Sequence, residues 1–120
     1  MDARTRELQE RTKAFALRVI RLTEQLPGVR AADVIGRQLL RSGTSVAANY
    51  RSACNARSVA DFVSKMGVVE EEADESQFWL ELLQESGLFV GETVDSFLRE
   101  ANELARIAAA SSKTARARSR

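Results

Sequence analysis

The chain of 120 residues contains no histidine. The commonest general base and metal ligand is therefore missing, and Ser–His or Cys–His nucleophilic pairs are excluded. A single cysteine, Cys54, cannot form an internal disulfide and fits a reducing compartment. With no imidazole to activate it, Cys54 reads as a small residue at a helix end rather than a nucleophile. One proline, Pro27, and six glycines leave long stretches free of helix breakers. Aromatics make up only 6% of the chain, so its apolar surface must come mainly from Ala, Leu and Val. No apolar run approaches the roughly 18 residues of a membrane span, and the N-terminus lacks a signal-peptide core. The expected setting is the cytoplasm, with no membrane partner.

What remains is rich in Ala, Leu, Glu, Arg and Gln, which are strong helix formers, and the class expected is all-α. The net charge of +1 gives no global bias toward nucleic acid or anionic lipid. Its distribution is more telling. Residues 1–57 hold eleven Lys/Arg against five Asp/Glu, residues 58–103 hold two against twelve, and residues 104–120 carry five basic groups and no acid. Blocks of alternating sign favour packing of one helix on another, within or between chains; solvated faces with local ion pairs are the rival explanation.

The apolar spacing marks four helices. Leu8, Phe15, Val19, Leu22 and Leu26 form a heptad-like stripe over about Arg4–Gln25, and Leu26-Pro27-Gly28 ends it. A second helix starts within Val29–Asp33 and runs to about Cys54, with an inward face of Ile35, Leu39, Ser42, Val46, Asn49 and Ala53. Asn49 is either a buried device for register or a residue at the stripe edge pointing to water. Ser58 reads as an N-cap with Asp61 three residues on, opening a third helix that Gly87 can stop. Phe62, Met66, Val69, Ala73, Phe78, Trp79 and Leu82 or Leu83 give its apolar side, and Gly67 suggests close packing. A last helix begins near Gly91–Thr93 and carries Val94, Phe97, Leu98, Ala101, Leu104, Ala105 and Ile107 or Ala108. Short connections predict an up-down-up-down antiparallel four-helix bundle over residues 1–110, followed by a disordered basic tail, 111–120.

If the chain reverses near Asn55 and Ala56, residues whose numbers sum to about 113 lie side by side. Arg51 then faces Asp61, Arg41 faces Glu72, and Arg37 comes near Glu75. Buried, such pairs would fix register, and breaking one would cost roughly 3–5 kcal/mol. Phe78 and Trp79 are adjacent on one helix, so both cannot enter one narrow core. Either one of them packs on another subunit, or the first helix covers a wide core edge.

Catalytic chemistry finds little support. A carboxylate di-metal site in a bundle wants Glu-x-x-His pairs, so the Glu70–Glu75 cluster is a poor one, and no metal or cofactor is expected. There is no Gly-rich phosphate loop and no nucleophile–base pair, and the protein is expected not to be an enzyme. For RNA or DNA the candidate contacts are Arg18, Arg21, Arg37 and Arg57, together with Lys113, Arg116, Arg118 and Arg120 of the tail. No aromatics interleave them, which argues against a stacking platform for single strands.

The segment Gln38-Leu39-Leu40-Arg41-Ser42-Gly43-Thr44-Ser45-Val46-Ala47-Ala48-Asn49, followed by Ala56-Arg57-Ser58-Val59-Ala60-Asp61-Phe62, resembles the four-helix-bundle family also known as the 23S ribosomal RNA intervening-sequence protein family. That family's pattern is roughly Q-L-R-R-S/A-x-x-S-I/V-x-x-N-I-A-E-G, then R-S-x-x-E-F. Leu22-Thr23-Glu24-Gln25-Leu26-Pro27 is similar to its first-helix ending, so the likeness spans about residues 8–90. Asn49-Tyr50-Arg51-Ser52-Ala53 departs from N-I-A-E-G, and Glu72–Trp79 replaces the usual G-S-L-x-E-L, which marks a divergent branch. The resemblance implies kinship with the accessory variability protein of diversity-generating retroelements, a pentameric barrel that works with reverse transcriptase and nucleic acid. What it implies here is a homo-oligomer, pentameric by likeness, acting as an adaptor for nucleic acid or a protein partner. A purely structural interaction module is the alternative.

Overall fold

The computed structural model describes residues 1–119. Four α-helices follow one another: α1 (Ala3–Glu24), α2 (Arg30–Cys54), α3 (Val59–Glu85) and α4 (Glu92–Arg118). They form a rod of 50 × 21 × 21 Å, so one narrow core runs lengthwise and both ends are open to solvent. Each helix packs on its sequence neighbour, and α1 closes on α4 along a thinner seam. Partners along that seam run in opposite order, Arg11 with Glu100, Phe15 with Phe97 and Arg18 with Ser96, as antiparallel helices require.

The helix ends have local causes. Asp2, which the periodicity does not single out, caps α1 by accepting from the Thr5 amide at 2.7 Å. That bond holds its carboxyl below the ordinary aspartate range. Ser58 caps α3 by accepting from the Asp61 amide at 3.0 Å, and Asp61 reaches back to accept from the Arg57 amide at 3.3 Å, one residue before the amide that a capping box engages. Gly87, at φ 77°, supplies the left-handed residue after α3, and the Phe89 amide then closes on the Leu83 carbonyl.

The core is built from Phe15, Val19 and Leu22 of α1, Leu39 and Val46 of α2, Met66, Val69, Ala73, Leu80 and Leu83 of α3, and Val94, Phe97, Ala101, Leu104 and Ala108 of α4. Leu8, Leu26, Ile35, Phe62, Trp79, Leu98 and Ala105 pack at its margin. Small residues set the spacing of α1 and α2. A Cβ on Gly43 would lie 2.8 Å from Val19 Cγ2, and one on Gly36 would lie 2.9 Å from Leu26 Cδ1.

In three details the structure differs from the sequence expectation or decides between its alternatives. Gly67 is not a close-packing position, because nothing lies within 4 Å of where its Cβ would stand. Asn49 turns back on its own helix, donating to the Ser45 carbonyl at 2.9 Å, and Tyr50 takes the buried place beside it. The helical phase explains this: Tyr50 continues the Leu39–Gly43–Val46 stripe, whereas Asn49 falls at its edge. The third difference concerns residues 111–118, which continue α4 as helix instead of forming a disordered tail. Ser112 is buried there, so the segment packs on the bundle. Arg120 lies outside the described residues.

Candidate functional site

Of the three α2–α3 ion pairs that the charge pattern foretells, one forms, between Arg41 and Glu72. Arg41 meets Glu72 at 3.2 Å and also bonds Glu75. The guanidinium bond to Arg41 is the main cause holding the Glu75 carboxyl below its ordinary range, and Trp79 Nε1 adds a second donor at 3.2 Å. Half of the Arg41 side chain is exposed, so this is a surface network and not a buried one. The stabilisation expected of a buried pair does not apply, because water and salt screen the charges. Arg37 pairs with Asp33 at 3.1 Å, and not with Glu75. Asp33 is one turn away on the same helix, and Glu75 is already taken. Asp61 likewise ignores Arg51 and engages Lys65 at 3.3 Å, since the cap fixes its carboxylate at the start of α3.

Phe78 is 50% exposed on α3, with its ring edge-to-face on Trp79 at 5.0 Å. Trp79 joins the core margin, so the two neighbours divide as their adjacency demands. Exposed Glu71 and Asp74, seven and four residues back, stand beside Phe78 on the outer face of the helix. Among the described residues, no group of three or more His, Cys, Asp or Glu comes together as a metal cage.

The basic candidates separate into two regions. Arg57 sits in the α2–α3 turn, at the end of the rod where α1 begins and α4 finishes. Lys113, Arg116 and Arg118 stand exposed on the last turns of α4 at that same end, with Arg4, Arg6 and Arg51 nearby in the topology. Among the described residues none of these seven enters an ion pair. Arg18, Arg21 and Arg37 lie toward the other half. Arg21 is exposed on α1, and Arg37 is occupied by Asp33.

Arg18 belongs to a feature that sequence reasoning misses, an open cleft of about 490 Å³ between α1 and α4 lined by Arg11, Arg18, Ser96, Arg99, Glu100 and Glu103. Arg11 grips Glu100 with two hydrogen bonds, at 2.7 and 2.8 Å, which is the chief cause raising the Arg11 pKa further. Arg18 lays its guanidinium over the Phe97 ring at 4.3 Å and donates to Ser96 Oγ at 3.2 Å. A signal did exist. Arg11 and Arg18 are seven apart, and Ser96, Arg99, Glu100 and Glu103 follow at helical spacing, so each set shares a face.

Such a fold and surface define an all-α four-helix bundle with one basic end, an acidic α3 face and a polar cleft. The chain belongs to the 23S rRNA-intervening sequence protein family, whose profile matches residues 4–110. Four chains of solved structures match it. One of them, from Bacteroides thetaiotaomicron, is described as a protein with unknown function from the S23 ribosomal protein family. It shares 32% identity over 91% of this chain and 97% of its own, with a TM-score of 0.84. No curated protein matches the chain significantly. No helix among the described residues is long and apolar enough to cross a membrane.

Proposed function

We propose that this protein is a noncatalytic adaptor of the cytoplasm that binds nucleic acid through the basic end of its rod and assembles with copies of itself. The observation that carries this reading is the helical continuation of α4. It brings Lys113, Arg116 and Arg118 to the end of the rod that also holds Arg57, Arg51 and the start of α1, and none of these side chains enters an ion pair among the described residues. Guanidinium and ammonium groups held on a rigid end are suited to phosphate contacts that depend on charge and not on base identity. The family's name, which refers to 23S rRNA, supports RNA as the first ligand to try.

Self-assembly is supported by Phe78, a large aromatic left half exposed on an acidic ridge, where a partner surface would bury it. The pentameric ring implied by the resemblance is the form to test. A mass of 13.3 kDa by light scattering at micromolar concentration would count against assembly. Phe78→Ser is expected to shift any assembly toward smaller species.

Binding of labelled RNA and DNA across a salt series tests the nucleic-acid part. Log affinity should fall with log salt, and Arg57→Gln, Arg116→Gln and Arg118→Gln should each reduce the slope by about 1. A flat salt response, or no binding at low salt, would remove nucleic acid from the account. What would then stand is a structural protein–protein module, which the exposed acids of α3 (Glu70, Glu71, Asp74) favour, because they repel phosphate and complement the basic first half of the chain.

A further inference from the structure

The α1–α4 seam holds a cation whose bonding is incomplete. One face of the half-buried Arg18 guanidinium rests on the Phe97 ring, and its only polar partner among the described residues is the Ser96 hydroxyl. Glu100, an acid lining the same cleft, is committed to Arg11 through both of its oxygens. Ser96 Oγ accepts from Arg18, so its own O–H is left to donate toward the cleft. Arg99 and Glu103 complete the lining. With Arg11 and Glu100 cancelling each other, two guanidinium groups face one carboxylate.

Guanidinium N–H groups form a planar fork that matches the oxygens of phosphate, and an aromatic ring behind the fork shields it from water and strengthens such bonds. We infer that this cleft binds a phosphate-class oxyanion, with Arg18 and Ser96 donating to its oxygens and Arg99 balancing its remaining charge. The site is separate from the basic end, so loss of binding at one leaves the other to be judged by itself. A purely structural Arg18 would serve only to cover Phe97, and the two roles differ in what added anion does.

The test is a titration of the full isotope-labelled chain with pyrophosphate, followed by amide NMR shifts, against sodium chloride at matched ionic strength. Saturable shifts centred on residues 11–18 and 96–103 are expected. Arg18→Lys, which keeps the charge but loses the fork, should weaken binding about tenfold while helicity by circular dichroism is unchanged. Arg30→Gln, outside the lining of the cleft, should leave it as it was. Equal shifts with chloride, shifts confined to the Lys113–Arg118 end, or an Arg18→Lys chain of undiminished affinity would overturn the assignment. An oligonucleotide arm identifies the source of the anion. Shifts at the same residues with an unphosphorylated oligonucleotide mark a backbone phosphate as ligand, and shifts with pyrophosphate alone mark a small phosphorylated molecule.

Discussion

Ser42 of α2 and Ser76 of α3 face each other in the fully buried core with their hydroxyl oxygens 2.8 Å apart. Ser76 donates to the Glu72 carbonyl at 2.8 Å, so Ser42 is the donor between the two hydroxyls, with the Leu39 carbonyl at 3.3 Å as its other acceptor. The pair lets two polar side chains sit in the core without an orphaned group. It also locks α2 and α3 in a register close to the one that brings Arg41 to Glu72.

Replacing either serine by alanine leaves its partner with a backbone acceptor. Each single change is therefore expected to cost only about 1 kcal/mol in urea unfolding. The double variant should cost less than the sum, because the hydroxyl–hydroxyl bond is lost once. Strict additivity would show that the two hydroxyls do not interact.

Gly43 and Gly67 should respond in opposite directions to alanine. At Gly43 the new methyl meets the stiff Val19 side chain at 2.8, 3.0 and 3.2 Å, so α1 must move, at a cost of about 1–3 kcal/mol. At Gly67 the methyl enters open space and the gain in helix propensity approaches about 1 kcal/mol. Thermal melts of the two variants should move apart. A stabilised Gly43→Ala chain would contradict the close approach of α1 and α2.

Removing the Arg41 network tests the α2–α3 electrostatics. Arg41→Ala is expected to lower stability by about 0.5–1 kcal/mol, more than Arg116→Ala, which loses no ion pair seen in the fold. The difference should shrink in 1 M salt, where the screening length falls to about 3 Å. Equal effects of the two changes at low salt would contradict a structural role for Arg41.

The same network sets an acid limb. Glu75 is held below the ordinary value of 4.5 by Arg41, so the folded state binds its proton less readily than the unfolded chain. Its contribution is complete above about pH 4.5 and is lost as pH falls through the lower, folded value. Glu75→Gln should therefore flatten the stability profile below pH 4.5 and lower stability at pH 7. Unchanged acid sensitivity would assign that limb to other carboxylates.

Ser112 offers a stabilising change. Its hydroxyl is buried on α4 with no hydrogen-bond partner, and it is the only such side-chain atom among the described residues. Ser112→Ala removes the unsatisfied group and should raise the melting temperature. Truncation after residue 110 should lower it, because α4 loses its last two turns. No change on truncation would mean that the segment does not pack.

Several of these features were legible before any coordinates. Ser58 with Asp61, and Gly87 after α3, announce themselves because caps are decided by residues three or four apart. Arg41 with Glu72 is legible because a tight turn imposes mirror numbering on two helices. The same rule failed for Arg37 and Arg51. Numbering ranks distance along two rods, but it does not rank a cross-helix acid against one on the same helix or one already committed to a cap. Tyr50 was hidden for a related reason: a polar neighbour, Asn49, fits the heptad count, and only the true helical phase separates the edge from the interior.

The amino-acid sequence by itself determined the four helices, most of their ends and the antiparallel order, since propensity, capping and short turns act over a few residues. Only the tertiary structure decided that residues 111–118 stay helical, that Gly43 carries Val19, and that Arg11 and Arg18 meet Glu100, Ser96 and Phe97. Those partners stand 78 to 89 residues apart along the chain. No local rule selects them; packing of the whole bundle brings the first and last helices together and gives Arg18 a ring and a hydroxyl in place of a carboxylate.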